Sequence, residues 1–273
     1  MRIAIVFFSA TNNTRSMAEV IRERLEFEGA EATLCDVTSP AARAKGIDFG
    51  AYDAAVFGAP VHSLRAPKVM RDWLGTLDGN KMKCAMFFTY GGFTVHPAHY
   101  STARILEKRH FIVVSSAEFP GKHTFNVGGW KAFTDRPDKR EHALAEDFVR
   151  ATLRRFSGVD GDMVSGFEQG AFNDDQLDEF EGFRFKVITE LPSRNGAECC
   201  QCGMCEKLCP TGAMDCASGT VDSSACIACL GCVAVCPEGN LKINSTEQSW
   251  QMKLTMGKTT VEKLNSQVGK LYL

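Results

Sequence analysis

Arg2-Ile-Ala-Ile-Val-Phe-Phe8, then Ser9-Ala10-Thr11-Asn12-Asn13-Thr14, then Arg15-Ser-Met-Ala-Glu-Val-Ile21 join an apolar run, a loop of hydroxyls and amides, and a helical pattern. The apolar run predicts a buried strand over Arg2–Phe8, and the periodicity predicts a helix over Thr14–Glu28. A loop of this kind at a helix N-terminus offers free backbone N–H groups and the positive end of the helix dipole to an anion. It is neither a Walker loop nor a G-x-G-x-x-G turn, so ATP and dinucleotide readings lose support. A phosphate monoester suits it; an ordinary Ser/Thr helix cap is the alternative.

Outward from this loop, short apolar runs alternate with helical patterns. Strands are expected at Arg2–Phe8, Ala32–Asp36, Ala54–Gly58, Cys84–Thr89 and Ile112–Glu118. Helices are expected at Thr14–Glu28, Pro67–Leu77, Ala98–Lys108 and Arg136–Phe156. Five strands with crossover helices make a minimal doubly wound α/β domain over residues 1–156. In such a sheet the segments Phe57-Gly58-Ala59-Pro60-Val61-His62-Ser63-Leu64-Arg65-Ala66-Pro67 and Thr89-Tyr90-Gly91-Gly92-Phe93 meet the first loop at the carboxyl edge. Pro and Gly let backbone approach a flat ring, and Tyr90, Phe93 or His62 could lie against its face. His62, His96, His99 and His123 fall at or near this edge. One could donate a proton to a substrate; the alternative is ordinary polar loop residues.

A second signature lies near the C-terminus: Cys199-x2-Cys202-x2-Cys205-x3-Cys209-Pro210, repeated as Cys226-x2-Cys229-x2-Cys232-x3-Cys236-Pro237. This is the bacterial ferredoxin spacing, in which the fourth cysteine of each run ligates the other run's cluster. The reading assigns Cys199, Cys202, Cys205 and Cys236 to one [4Fe–4S] cluster, and Cys226, Cys229, Cys232 and Cys209 to another. Thiolate sulfur suits tetrahedral iron. Zinc, which CxxC pairs also bind, uses one set of four ligands, whereas two full sets are present. Cys200 and Cys216 fall outside the spacing and read as spare thiols, while Leu208, Ala213 and Val221 read as small core residues of this unit.

Residues 1–156 resemble a flavodoxin: Ser9-x-Thr11-x-Asn13-Thr14 matches its phosphate loop, and Gly58-Ala-Pro-Val and Tyr90-Gly-Gly match its flavin-flanking loops. The whole chain is similar to fused flavodoxin–ferredoxin proteins, a bacterial and archaeal group sometimes called ferrodoxins. The resemblance implies a five-stranded parallel sheet of order 2-1-3-4-5 with a second, small α+β ferredoxin-like domain. It also implies FMN, with its phosphate on Ser9, Thr11, Asn12, Asn13 and Thr14. Its ring would lie between Pro60, Val61, His62, Ser63 and Thr89, Tyr90, Gly91, Gly92, Phe93, with Phe119 nearby. Flavodoxins usually have glycine where this chain has Ala10 and Asn12, and a Trp near the ring, whereas Trp73 falls in a predicted helix.

Residues 157–198 form an acidic linker, with ten acidic against three basic residues. Leu177, Phe180, Phe183, Val187, Ile188 and Leu191 recur at helical spacing after an Asn173 or Asp174 cap. The ferredoxin-like domain spans 199–243. In the tail, 244–273, Val261, Leu264, Val268 and Leu271 predict a short amphipathic helix.

The net charge of −2 argues against a general nucleic-acid binder. It is unevenly placed: residues 1–156 carry 22 Lys/Arg and 17 Asp/Glu, and the remainder 9 and 16. Electrostatic docking of the basic half on the acidic half would make flavin–cluster transfer slow at high salt. With no run of about 18 apolar residues, no membrane span is expected. Clusters on twelve-cysteine chains assemble in reducing compartments, so a cytoplasmic location, and an anaerobic source, are the expectations. These readings point to an electron-transfer flavoprotein serving a redox partner protein, with a homodimer compatible. The alternative is an FMN-dependent reductase of a small substrate in a pocket built from Tyr90–His99 and Phe119–Phe125.

Overall fold

The computed structural model describes residues 1–93, 95–164, 167–183 and 189–273. The first part runs β1 (Arg2–Phe7), α1 (Asn13–Phe27), β2 (Glu31–Asp36), α2 (Pro40–Lys45), β3 (Ala54–Pro60), α3 (Lys68–Leu74), β4 (Lys83–Tyr90), α4 (His96–Lys108), β5 (Ile112–Pro120) and α5 (Lys139–Phe156). The connector carries α6 (Asp174–Phe183). Then come α7 (Met204–Lys207), β6 (Met214–Asp215), β7 (Thr220–Val221), α8 (Gly231–Val235), α9 (Glu247–Met256), α10 (Val261–Asn265) and β8 (Lys270–Tyr272).

The large sheet has the order β2-β1-β3-β4-β5-β8, its first five strands parallel. This is the flavodoxin-like order 2-1-3-4-5, with one antiparallel strand added at the edge. In β1, Ile3, Ile5 and Phe7 pack with Met17, Ile21 and Leu25 of α1 and with Phe148 of α5. Ala4, Val6 and Phe8 pack on the other face with Met70 and Leu74 of α3 and Leu106 of α4. Burial on both faces explains why the strands read as unbroken apolar runs. Because β1 is flanked by β2 and β3, the chain leaves it in opposite directions, and a crevice opens beyond its carboxyl end.

The added strand corrects the helix expected over Val261–Leu271. The helix stops at Asn265, Val268 is exposed, and Lys270, Leu271 and Tyr272 pair with Glu118, Ala117 and Ser116. An open β5 edge offers unpaired backbone groups, which these residues satisfy. A Cβ at Gly269 would overlap the Glu118 backbone, so glycine permits the approach. Tyr272 Oη donates to Glu118 Oε2 at 2.9 Å.

Asn173 caps α6: its Oδ1 accepts from Gln176 N–H at 2.9 Å, and Gln176 Oε1 accepts from Asn173 N–H at 3.1 Å. The helix sets Asp178 and Glu181 against Arg65 and Arg71, whose side chains are nearly buried. Glu181 Oε1 also accepts the Lys68 N–H at the start of α3. Val187 and Ile188, expected on this helix, lie outside the described residues.

The cysteine-rich unit has a small core of Cys205, Cys209, Ala213, Met214, Cys216, Cys232 and Leu241, with Val221 packed beside it. Leu208 is exposed instead. Cys205 on α7 and Cys209 just beyond it point into this core, whereas Leu208, the C-cap of α7, points out. A further cluster joins Phe125, Trp130 and Phe133 of the first part to Leu230, Trp250 and Leu264. The tail and the cysteine unit are thus packed into one body with the sheet.

Candidate functional site

At the carboxyl edge of β1, β3 and β4 lies an open cleft. Its walls come from Ser9, Ala10, Thr11, Asn13 and Thr14, from Pro60, Val61 and His62, and from Thr89, Tyr90 and Gly91. Lys122, His123, Thr124 and Cys229 complete it. The loop is held from both sides. Ser9 N–H donates to Thr38 Oγ1 at 2.7 Å, and Ser9 Oγ accepts from Arg15 N–H at 3.0 Å. The Thr14 and Thr89 hydroxyls bond at 2.8 Å, and Asn13 Nδ2 donates to the Lys122 carbonyl. Asn12 takes φ 67°, left-handed geometry that Asn tolerates in place of glycine, and Ala10 takes no positive φ.

The segment after β5 closes over the end of β4. His123 packs 4.3 Å from the Trp130 ring, and its Nδ1 accepts from Phe125 N–H at 3.0 Å. A ring proton therefore sits on Nε2. A side chain at Gly91 would overlap the His123 ring, so glycine there permits the closure. Burial pushes the Tyr90 hydroxyl far above the usual phenol range and Glu118 reinforces this against Arg136, so Tyr90 stays neutral near pH 7.

Five expected residues stand apart from the cavity. Asn12 is exposed on the outer side of its turn. Ser63 turns toward the connector, its hydroxyl donating to the Phe180 carbonyl at 3.4 Å. Gly92 faces Phe133 and Leu264. Phe93 packs edge-on to Trp130 and Trp250 rather than against a ligand. Phe119 alternates onto the α1–α5 face, with Phe87 and Phe148. Of the histidines, His62 and His123 reach the cavity, while His99 is fully buried beside Ser116 and Glu118. The His96 side chain lies outside the described residues. Ala10 belongs to the loop read as the anion site, and Lys122 and Thr124 to the Phe119–Phe125 wall of the alternative reading; Cys229 had no sequence signal for this pocket, since only folding brings it there.

A second cleft is lined by Cys199, Cys202 and Cys205 of the first run and by Cys236 of the second. Cys200 and Cys216 border it too. Burial, with a hydrogen bond to Cys216 next, pushes the Cys205 thiol up to about 11. Burial alone would raise Cys236, yet the backbone N–H groups of Leu241, Asn240, Glu238 and Gly239 outweigh it and bring the thiol down. The remaining four cysteines adjoin one another. Burial pushes Cys232 far up, and Cys229, Cys226 and Cys209 push it further. Among the described residues no group of three His, Cys, Asp or Glu side chains forms a single-ion site.

No family model matches the chain, and no curated protein does. Solved flavodoxins resemble its first part. A flavodoxin from the domain Archaea is 14% identical over 57% of this chain and 99% of its own, with a TM-score of 0.43. Oxidised flavodoxin 2 of Bacillus cereus gives 17%, 57%, 99% and 0.45. The Fusobacterium nucleatum flavodoxin, solved bound to flavin mononucleotide, gives 12%, 57%, 98% and 0.41. The strand order and register establish the fold independently. Residues 1–156 are flavodoxin-like. Among the described residues no helix is long and apolar enough to cross a membrane.

Proposed function

We propose that the chain is a cytoplasmic electron-transfer flavoprotein that holds FMN and two [4Fe–4S] clusters and serves a redox partner. One observation carries the reading: Cys229, an expected cluster ligand, lines the same cavity as the phosphate loop and the Thr89–Gly91 turn. The lining of this cleft suits FMN in its chemistry. Its Ser9–Thr14 end presents the N-terminus of the 15-residue α1, with Lys122 nearby, to a phosphate. Its other end offers the apolar side chains of Pro60 and Val61 and the ring of Tyr90. The all-sulfur sets, each completed across the repeat, suit cubane clusters.

When bound, FMN exchanges one or two electrons and each cluster one, which is the chemistry the site would supply. The protein's own part is placement. The Thr14–Thr89 bond and the Asn13–Lys122 contact hold the pocket walls together, and the segment around His123 restricts water. The N–H groups around Cys236 stabilise charge on sulfur, a means of setting a cluster's potential.

A second reading has its own observation. Lys122, His123 and Thr124 close over the pocket from within the chain, as a reductase of a small substrate would require. Anaerobic purification with an absorption spectrum and iron, sulfide and flavin counts tests the frame. About eight irons and one FMN per chain are expected; zinc, or a chain that takes up no flavin, overturns it. Stopped-flow reoxidation with small acceptors against carrier proteins then separates the two readings.

A further inference from the structure

The two cysteine runs share a backbone but not an environment. Gln201 and Gly203 of the first take φ 51° and 71°; their equivalents 27 residues later, Ala228 and Leu230, take 50° and 54°. The loops Cys202-Gly203-Met204 and Cys229-Leu230-Gly231 are therefore near copies. In the first, Cys202 is exposed and Met204 is 42% exposed. In the second, Leu230 is 1% exposed among Phe125, Trp130 and Trp250, and Cys229 lines the cleft beside the Ser9–Thr14 loop. Gly231 lies against the phosphate loop, where a Cβ would come within 2.8 Å of the Ala10 carbonyl oxygen. The fourth cysteine of this set belongs to the same seam: Arg43, on α2, donates to the carbonyl of Pro210, which follows Cys209. Ile227, next to Cys226, packs on the sheet core.

Resting on the FMN and cluster reading above, we propose that the repeat is polarised. The loop Cys229-Leu230-Gly231 is a structural wall of the flavin site, so occupancy of the Cys209, Cys226, Cys229 and Cys232 set and binding of FMN reinforce one another. The Cys199, Cys202, Cys205 and Cys236 set lines a separate site that shares no residue with the FMN cleft, and is indifferent to FMN. The physical basis is linkage. A short loop with left-handed residues at 228 and 230 is held in shape by metal–sulfur bonds, and a pocket with one unformed wall binds its ligand less well. By reciprocity, whatever factor the metal contributes to flavin affinity, the flavin contributes to metal retention.

The full chain decides this. FMN is titrated anaerobically into iron-loaded, flavin-free protein, and iron loss to a chelator is then followed with and without FMN. Iron is expected to leave in two equal phases, FMN slowing one by about tenfold and leaving the other unchanged. Two variants that keep all eight cysteines accompany it. Gly231→Ala, which presses on Ala10, should weaken FMN binding by about tenfold, and Met204→Ala, its repeat equivalent, by less than about twofold. FMN protection of both phases or of neither overturns the proposal, as does equal loss of affinity in the two variants. If Gly231→Ala fails to fold, the chelation of the unaltered chain still decides. A chain that takes up no FMN at all fails earlier, and overturns the functional reading with it.

Discussion

Gly231 stands against Ala10 with no room for a methyl group, since a Cβ there would lie 2.8 Å from the Ala10 carbonyl oxygen. The contact joins the second cysteine loop to the phosphate loop, two segments more than 200 residues apart in sequence. Only one of the two cysteine loops can make it, because the first has Met204 at the same repeat position. A near-symmetrical sequence repeat thereby becomes an asymmetrical structure.

The neighbouring Leu230 is expected to show two opposed effects. Its side chain is buried in an aromatic cluster, yet its backbone is left-handed, φ 54°. Leu230→Ala keeps the strained backbone and loses the packing, costing about 2–5 kcal/mol. Leu230→Gly loses the same packing but relieves about 1–2 kcal/mol of left-handed strain, partly offset by the greater unfolded-state entropy of glycine. Urea unfolding followed by the fluorescence of Trp130 and Trp250 should therefore rank Gly above Ala. The opposite order would mean that strain at 230 is negligible.

Much of this architecture could be read in the chain before folding. Arg2–Phe8 and Ile112–Glu118 were legible as strands because burial on both faces leaves an unbroken apolar run. The Ser9–Thr14 loop was legible because a strand precedes it and a helix follows. β8 was not, since three residues carry no period, and their reason to be a strand is the β5 edge that receives them. Phe119, which the resemblance puts near the ring, is turned by strand alternation to the opposite face of the sheet. Which cysteine loop meets the flavin-like pocket depends on the surface of another domain, so spacing alone carries no trace of it.

Glu181 should control the docking of α6. Its side chain and those of Arg65 and Arg71 are 14%, 5% and 9% exposed. Glu181→Ala leaves two nearly buried guanidinium groups with only the more exposed Asp178 and Asp174, a local cost of about 2–3 kcal/mol. Limited proteolysis between α5 and α6 should accelerate by about tenfold or more. Asp174→Ala, at an 82% exposed side chain, serves as the control and should leave the rate unchanged. Equal rates in both variants would assign the docking to packing rather than charge.

Asp138 should give α5 an acid-sensitive start. Hydrogen bonding to Arg140, opposed by slight burial, holds its carboxyl down to about 2. Its side chain accepts from Arg140 N–H at 2.8 Å, and Glu141 returns a bond to the Asp138 N–H at 2.9 Å, forming a capping box. A carboxyl with a depressed folded-state pKa stabilises above its unfolded value, near 3.8, and loses that stabilisation as pH falls toward 2. Asp138→Ala should cost about 1 kcal/mol at pH 7, from the cap rather than from the solvent-screened ion pair. The gap between wild type and variant in amide exchange of the first turn should hold to about pH 4 and narrow below it.

Salt should have little effect on electron exchange within the chain, contrary to what the charge asymmetry implied. The basic and acidic parts do meet, through Arg65 and Arg71 with Asp178 and Glu181. The seam between the cleft at the carboxyl edge and the cysteine unit is different in kind. It consists of Leu230 among aromatic rings, Gly231 on Ala10 and Arg43 on a backbone carbonyl, with the tail returning to the sheet as β8. Apolar packing and a continuous sheet are insensitive to ionic screening, whose range is about 10 Å at 0.1 M salt. Laser-flash reduction of the loaded protein should therefore give an internal rate that changes by less than about twofold when ionic strength rises tenfold, while the rate of reduction by a charged external carrier shifts more. An internal rate that falls steeply with salt would mean that the halves separate and re-dock in each transfer, and that this seam does not hold in solution.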